Sequence, residues 1–303
     1  MPLTRHIFTA VDLSPPSLQA LDRALDLCAA TGAHHTVMHA LGLDALGPLR
    51  NLIGAQAEDV ARKAVARQRS AIETALQAPG RQRTPAPTVL IEEGLATTVV
   101  PAYAATTDAD LVVVGSRGES VLRRMVIGST ASRLLRKSRC PVLVVKNPCL
   151  TPYRRVLLPM DFSPGSALTI RLVRELAPQA DLVLLHVFDV PFEGMLQYAG
   201  VSEDVIHQYR IEARERALQQ MRELAAAQGL ALGDYTPLVE YGDAVALITG
   251  HQERLGCDLI AMGKHGTHVT EELLLGSVTK RVLSEGDADV LVVVDKRGPQ
   301  AAS

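Results

Sequence analysis

Short runs that are apolar at every position alternate along the chain with longer stretches of helical periodicity. Leu111–Val114 is one such run. A strand that is apolar at every position is covered on both faces, which is typical of a parallel sheet with helices on each side. For the first half, the pattern predicts strands at 5–11, 35–41, 87–92, 110–115 and 141–146, and helices at 15–31, 54–78, 95–107 and 129–138.

The same succession of elements returns in the second half. There the pattern predicts strands near 154–160, 181–188, 235–240, 258–263 and 289–294, and helices near 164–178, 202–228, 243–255 and 277–286. Five strands alternating with helices predict a doubly wound α/β domain. We therefore expect two tandem domains, at 1–147 and 153–296, and the segment 146–153, which contains two prolines, is interpreted as the linker.

A glycine pattern occurs in both halves with identical spacing. Gly115–Gly118 is followed after nine residues by Gly128-Ser129, and Gly263–Gly266 is followed after nine residues by Gly276-Ser277. The offset between the two copies is 148 residues at every glycine. The chain is therefore interpreted as an internal duplication.

Polar residues and glycines stand at the predicted ends of strands in both copies. Ligands of doubly wound sheets bind beyond the carboxyl ends of the strands, so a site is expected there. Glycine lets backbone N–H groups approach an anion, and the start of a helix offers unpaired N–H donors. We expect Ser129 and Ser277 to be helix N-caps. The strand-end residues are Asp12, His39 and Gly115 in the first half, and Asp161, His186 and Gly263 in the second.

These motifs resemble the universal stress protein superfamily, in its tandem two-domain form. The resemblance rests on Gly-2x-Gly-9x-Gly-Ser in both halves, on the aspartate that ends the first strand, and on the closing apolar strand. It implies two five-stranded parallel sheets of order 3-2-1-4-5 with helices on both faces. It also implies that each half is of the type that binds ATP, with or without Mg²⁺.

The resemblance assigns roles to matching positions in the sequence. Adenine would lie against Ala10, Val11 and Ala40 in the first half, and against Pro159, Met160 and Val187 in the second. Asp12 and Asp161 would contact the adenine or the ribose, and Gly115 and Gly263 would lie under the ribose. The phosphates would meet Gly118, Gly128, Ser129 and Thr130, or Gly266, Gly276, Ser277, Val278 and Thr279. Arg117 and Lys264, beside the glycines, complete the candidate set.

The two halves depart from each other inside the motif. Ala131 replaces the hydroxyl residue that Thr279 supplies in the second half. The nine-residue insert carries Arg123-Arg124 in the first half and Glu271-Glu272 in the second. If these side chains face the phosphates, the first half attracts the nucleotide and the second repels it, so the two sites are expected to differ in affinity.

Composition excludes several classes of function. The formal net charge of −2 gives no basic footprint for nucleic acid. No apolar run is long enough to span a membrane, and the amino terminus lacks the pattern of a signal peptide. The four cysteines form no CxxC pair, which favours reduced thiols and a cytoplasmic location. His34, His35 and His39 lie close in sequence, but the second half has only His186 at the matching place, so we expect no metal site.

The sequence contains no P-loop, nucleophile elbow or kinase motif set, so no catalytic residue is assigned. We expect an ATP-binding stress protein that acts as a nucleotide-dependent sensor or binding module. A slow ATPase or adenylate-transferring enzyme is one alternative. Another is a nucleotide-free scaffold, in which the glycines shape turns and the aspartates cap helices. The closing strands would be exposed edges unless paired, so we expect a pseudo-dimer within the chain or a homodimer.

Overall fold

The computed structural model describes residues 2–42, 56–107, 109–116, 127–189, 199, 201–264 and 275–294. Contacts divide the chain into two compact units. One comprises the residues up to Pro152 together with those from Asp289 onward, and the other runs from Tyr153 to Ala288. Each unit is a parallel-dominated α/β fold, as the hydrophobic pattern predicts. The domain limits at 147 and 153 stay a prediction.

The first unit contains five parallel strands and four described helices. Its elements are β1 (His6–Ala10), α1 (Pro15–Thr31), β2 (His34–Leu41), α2 (Gln56–Leu76), β3 (Thr88–Glu93), α3 (Ala96–Thr106), β4 (Leu111–Gly115), α4 (Ser129–Lys137) and β5 (Val142–Val145). The strands pair in the order β3-β2-β1-β4-β5. This order is the expected 3-2-1-4-5, and it brings the carboxyl ends of β1 and β4 side by side.

The second unit repeats this succession with closely similar element lengths. Its elements are β6 (Arg155–Pro159), α5 (Pro164–Leu176), β7 (Asp181–Phe188), α6 (Glu203–Ala227), β8 (Tyr235–Tyr241), α7 (Ala244–Leu255), β9 (Leu259–Gly263) and α8 (Ser277–Glu285). The strands pair in parallel in the order β8-β7-β6-β9. Strand β6 is therefore flanked by β7 and β9, as β1 is by β2 and β4.

The last strand, β10 (Asp289–Val293), belongs to the first unit, where it pairs antiparallel with β5. Leu291 stands opposite Leu143 in this ladder. All five residues of β10 are buried. The pairing satisfies the backbone groups that β5 would otherwise expose as an edge.

The central strands are buried because helices cover both faces of the sheet. Val112 and Val113 on β4 have no exposed surface, and neither has Leu157 on β6. In the second unit, Ile260 and Val282 belong to one apolar cluster that joins the sheet to helices α7 and α8. Such side chains contribute about 1.5–3 kcal/mol each when they leave water, so the sheet is a rigid base for the loops at its carboxyl edge.

Candidate functional site

The first strand of each unit leads to an aspartate that closes a short turn. Asp12 Oδ1 accepts hydrogen bonds from the backbone N–H of Ser14 (3.0 Å) and from its hydroxyl. Asp161 Oδ1 accepts from the backbone N–H of Ser163 (3.1 Å) and from the hydroxyl of Ser166 (3.1 Å). Asp161 Oδ2 is buried and has no hydrogen-bond partner among the described residues. The carboxylates therefore hold the local turns that follow β1 and β6.

The residue after each aspartate has a left-handed backbone. The φ angle is 65° at Leu13 and 63° at Phe162. A bulky residue in this region is an outlier that costs on the order of 1–3 kcal/mol, and such strain persists only where the surroundings hold it. Its occurrence at the same point in both units shows that the turn is constrained.

A histidine of the second strand reaches the exit of the first strand in both units. His39 Nδ1 lies 2.8 Å from the carbonyl oxygen of Val11, and His186 Nδ1 lies 2.8 Å from that of Met160. A carbonyl oxygen only accepts, so each ring carries a proton on Nδ1 and donates it. Burial lowers the pKa of His186, although the bond to Met160 and the nearby Asp161 act in the opposite direction. The lowered pKa favours the neutral form of the His186 ring.

Helices α4 and α8 begin at the repeated Gly-Ser pair. Their N-caps are Gly128 and Gly276, and neither helix has a side-chain cap. The expectation that Ser129 and Ser277 are N-caps is wrong, because each serine is already the first helical residue. The chain turns one residue earlier, where the glycine N–H donates back to the residue after the preceding strand. The bonds are Gly128 N–H to Ser116 O (2.9 Å) and Gly276 N–H to Lys264 O (3.0 Å).

These bonds attach the start of each helix to the carboxyl end of β4 or β9. The N–H groups of the first helical turn have no intrahelical partner. Together with the helix dipole, they make the position suitable for a phosphate or another anion. The same sheet edge carries the aspartate, because the register pairs Ala10 on β1 with Val114 on β4.

The glycine that ends β4 has a packing role. A Cβ at Gly115 would lie 2.6 Å from the carbonyl oxygen of Pro16 in the first turn of α1. In the second unit, the Thr279 hydroxyl donates to the carbonyl of Gly263 (3.1 Å) and ties the first turn of α8 to β9. Lys264, directly after Gly263, is buried with 3% of its surface exposed. The strand ends are thus packed tightly around the helix starts.

The sequence pattern of the universal stress protein family matches the chain twice, at residues 4–146 and 152–294. The chain belongs to the universal stress protein family. It is 28% identical over 270 residues to a universal stress protein of Mycobacterium tuberculosis, across 85% of this chain and 86% of that protein. A universal stress protein of Methanocaldococcus jannaschii is 41% identical over 144 residues, which is 46% of this chain and 82% of that protein.

A solved structure shows the same fold over nearly the whole length. The universal stress protein of Archaeoglobus fulgidus superposes with a TM-score of 0.66 and 19% identity, across 96% of this chain and 98% of that chain. At this identity the likeness concerns the fold alone. The tandem arrangement of this universal stress protein is therefore found in another member of the family.

The structure describes most of the candidate positions and brings them to the carboxyl edge of each sheet. Ala10 ends β1 and is followed by Val11 and Asp12, and Ala40 lies on β2. In the second unit Pro159 ends β6 and is followed by Met160 and Asp161, and Val187 lies on β7. Thr130 and Val278 are half-buried in the first turns of α4 and α8. Seven residues lie outside the described part of the chain: Arg117, Gly118, Arg123, Arg124, Gly266, Glu271 and Glu272.

Two serines that the sequence pattern did not single out complete the turn after the first strand of each unit. Ser17 Oγ accepts from the backbone N–H of Asp12 (3.2 Å), and Ser166 Oγ accepts from that of Asp161 (3.4 Å). Both lie five residues after the aspartate, in Asp-Leu-Ser-Pro-Pro-Ser and Asp-Phe-Ser-Pro-Gly-Ser. This repeated spacing is a signal that comparison of the two halves could have found.

Metal-ion clusters and membrane-spanning helices are absent from the described part of this universal stress protein. Within it, no group of three or more His, Cys, Asp or Glu side chains is arranged to hold a metal ion. None of the described helices combines the length and apolar character that crossing a membrane requires. The carboxyl edges of the two sheets are therefore the strongest candidate sites that the structure offers.

Proposed function

We propose that this universal stress protein binds an adenine nucleotide, in the first instance ATP, at the carboxyl edge of one or both sheets. One observation carries the proposal. In both units, a strand-end aspartate and an uncapped helix start lie at the same edge of the sheet. The first is suited to ribose hydroxyls and the second to phosphates.

Each part of the nucleotide has a suitable group in the site. Asp161 can accept from a ribose hydroxyl through Oδ2, which is buried and has no partner among the described residues, and Asp12 occupies the corresponding place. The first-turn N–H groups of α4 and α8 donate to phosphate oxygens, and adenine lies between the ends of the first two strands. Lys264 adds a positive charge beside the phosphates of the second unit, where Mg²⁺ can also bind them. Nucleotide occupancy would then alter a surface that a partner recognises.

The test begins with the nucleotide that copurifies with the protein. The chain has no tryptophan and six tyrosines, so a bound adenine would stand out at 260 nm. We expect chromatography of the released ligand to give an adenine nucleotide, and calorimetry of stripped protein to show binding of ATP, ADP or AMP, with and without Mg²⁺. A protein that neither carries nor takes up any of them contradicts the proposal.

Two variants locate the site. Leucine at Gly128 or Gly276 would fill the space in front of the first-turn N–H groups, so we expect each change to abolish nucleotide binding in its own unit. The control is Gly233→Leu, because a Cβ at Gly233 has no atom within 4 Å. If both site variants bind as tightly as the control, the phosphate position is wrong.

A nucleotide-free scaffold is the second candidate function. It is favoured by Gly115, whose small size is explained by contact with Pro16 without any ligand, and by the pairing of β5 with β10. This candidate predicts a clean protein spectrum and no heat on addition of Mg-ATP. A slow ATPase is distinguished from both by phosphate release that increases with protein concentration and is lost in Asp12→Asn or Asp161→Asn.

A further inference from the structure

In both units, the residue directly after the first strand is hydrogen-bonded to the second strand in the same way. The last ladder bond joins Val11 N–H to Met38 O (2.8 Å), and its counterpart joins Met160 N–H to Leu185 O (2.9 Å). The carbonyl of the same residue, Val11 or Met160, accepts from the imidazole Nδ1 of the second strand. The first strand is thus tied to the second strand through both the N–H and the carbonyl of one residue before the chain turns away.

The fixed carbonyl lies directly before the strained part of the turn. Val11 precedes Asp12 and Leu13, and Met160 precedes Asp161 and Phe162, whose φ of 63° is left-handed. A left-handed bulky residue relaxes unless its neighbours are held. In the second unit the Phe162 and His186 rings also contact each other, with centroids 4.4 Å apart. The histidine therefore restrains both the backbone before the aspartate and the side chain after it.

We infer that His39 and His186 are positioning residues of the nucleotide site, which hold the strand-exit carbonyl so that the aspartate and its left-handed neighbour stay in the conformation that receives the ligand. The inference rests on the proposed function. It assigns the histidines no contact with the nucleotide. Their effect is to remove the cost of ordering the turn when the ligand binds, which strengthens affinity without adding a contact.

The test compares two replacements of the same ring. Asparagine carries an amide nitrogen at about the position of Nδ1 and can keep the bond to the carbonyl. Leucine fills a similar volume without a donor. We expect the H39L/H186L protein to bind ATP about ten-fold more weakly than the natural chain, the effect of one lost hydrogen bond. We expect H39N/H186N to recover most of this loss, both being measured by calorimetry well below the unfolding temperature.

A control and a second pair of variants keep the result interpretable. His34→Leu removes a histidine at the amino end of β2, whose Nε2 lies 3.2 Å from the Thr88 hydroxyl, and should leave ATP affinity unchanged. If the leucine protein does not fold, H39N/H186N is compared with H39Q/H186Q, because the glutamine amide lies near Nε2 and cannot reach the carbonyl in the same way. The glutamine protein should then bind more weakly than the asparagine protein.

Three outcomes would overturn the inference. If the leucine variants lower the unfolding temperature but bind ATP normally, the histidines only stabilise the fold. If asparagine weakens binding as much as leucine does, the donor at Nδ1 is not what matters. A natural chain that binds no adenine nucleotide overturns the proposed function and this inference together, whereas the first two outcomes leave the proposed function intact.

Discussion

The two units are alike at the carboxyl ends of their first two strands and different at the amino ends. At the carboxyl ends, the aspartate, the left-handed residue and the histidine-to-carbonyl bond occur in both. At the amino ends, the first unit has His6 and His34, with ring centroids 5.3 Å apart. The second unit has Arg155 and Asp181 in their places, joined by an ion pair of 3.1 Å.

An aspartate that accepts from the start of the first strand is common to the amino ends of both units. Asp110 Oδ2 accepts from the backbone N–H of Arg5 (2.9 Å) and of His6 (3.1 Å). Asp258 does the same for the backbone of Arg154 (2.8 Å) and of Arg155 (3.2 Å). This bond satisfies strand-end donors that any such sheet presents. The side chains around this aspartate differ between the two units.

The comparison shows where the two copies are constrained. A feature that the fold alone needs, such as the aspartate that caps a strand start, is kept in both units at the amino ends. Backbone strain and the histidine that restrains it are kept only at the carboxyl ends. Strain is unfavourable for folding, so its retention in both copies supports a site at that end.

The two units also differ at the start of their last strand. A substitution there is expected to have the largest effect on stability. Asp289 stands where the first half has Pro141. Its Oδ1 accepts from the backbone N–H of Lys146 (2.8 Å) and of Asn147 (3.1 Å). Its Oδ2 lies 3.8 Å from Nε of Arg23, and the two side chains are only 1% and 6% exposed.

Asp289→Ala should destabilise the first unit by about 3–5 kcal/mol, because it leaves a buried guanidinium without its carboxylate. Urea unfolding followed by circular dichroism measures this loss. Asp289→Asn keeps an oxygen for the two N–H groups and should cost less. A loss below about 1 kcal/mol in the alanine variant would mean that the bond from Arg23 to Thr151 O (2.9 Å) suffices to hold the arginine.

Acid should reveal the difference between the amino ends. Burial lowers the pKa of His35 to about 4, with further lowering by His34 and His6. Its Nε2 bonds the Thr9 hydroxyl (2.9 Å), and Nδ1 has no partner among the described residues. Because the pKa is about 6.5 in the unfolded chain, unfolding takes up a proton below that pH. Stability is therefore complete above pH 6.5 and falls by about 3 kcal/mol towards pH 4.

This acid effect is measured as the urea midpoint between pH 7.5 and 4.5. His35→Gln keeps a bond to Thr9 without a titrating group, so its midpoint should fall less steeply. Burial also lowers the pKa of His6, which adds to the slope in the first unit although Asp110 opposes the shift. His186 contributes a slope of the same sign from the second unit. Equal slopes for His35→Gln and the natural chain would rule out His35 as the source.

The corresponding change in the second unit should have the smallest effect. Arg155 and Asp181 are 42% and 71% exposed, and exposed ion pairs contribute about 0–1 kcal/mol. Asp181→Asn should therefore lower the free energy of unfolding by no more than about 1 kcal/mol, measured by urea unfolding. The loss should be smaller in high salt. A loss of 2 kcal/mol or more would show that the second unit depends on its amino end as strongly as the first.

The sequence predicted the helices and strands well, but it did not predict the conformation of the turns that follow the first strands. The run Leu111–Val114 and its equivalents predicted the strands because burial on both faces requires apolar residues throughout. The left-handed backbone at Leu13 and Phe162 had no such signal, because leucine and phenylalanine disfavour it. The sequence places His39 and His186 at strand ends. Whether their rings reach the carbonyl oxygen depends on the distance between the first two strands of each unit, which the sequence does not give. The observed N-caps, Gly128 and Gly276, lie one residue before the predicted serines. Either residue of a Gly-Ser pair can cap a helix, so the sequence did not decide between them.

The pairing of β5 with β10 has a consequence for how the protein behaves on dilution. Both strands belong to one polypeptide, so each meets the other at an effective concentration that the intervening chain determines. Two separate single-domain chains joined through the same strands would part once their concentration fell below the dissociation constant. Here the ladder from Val290 to Val292 joins two strands of one chain, so its formation needs no second molecule. The duplicated chain therefore keeps this edge closed even when very few copies are present in a cell.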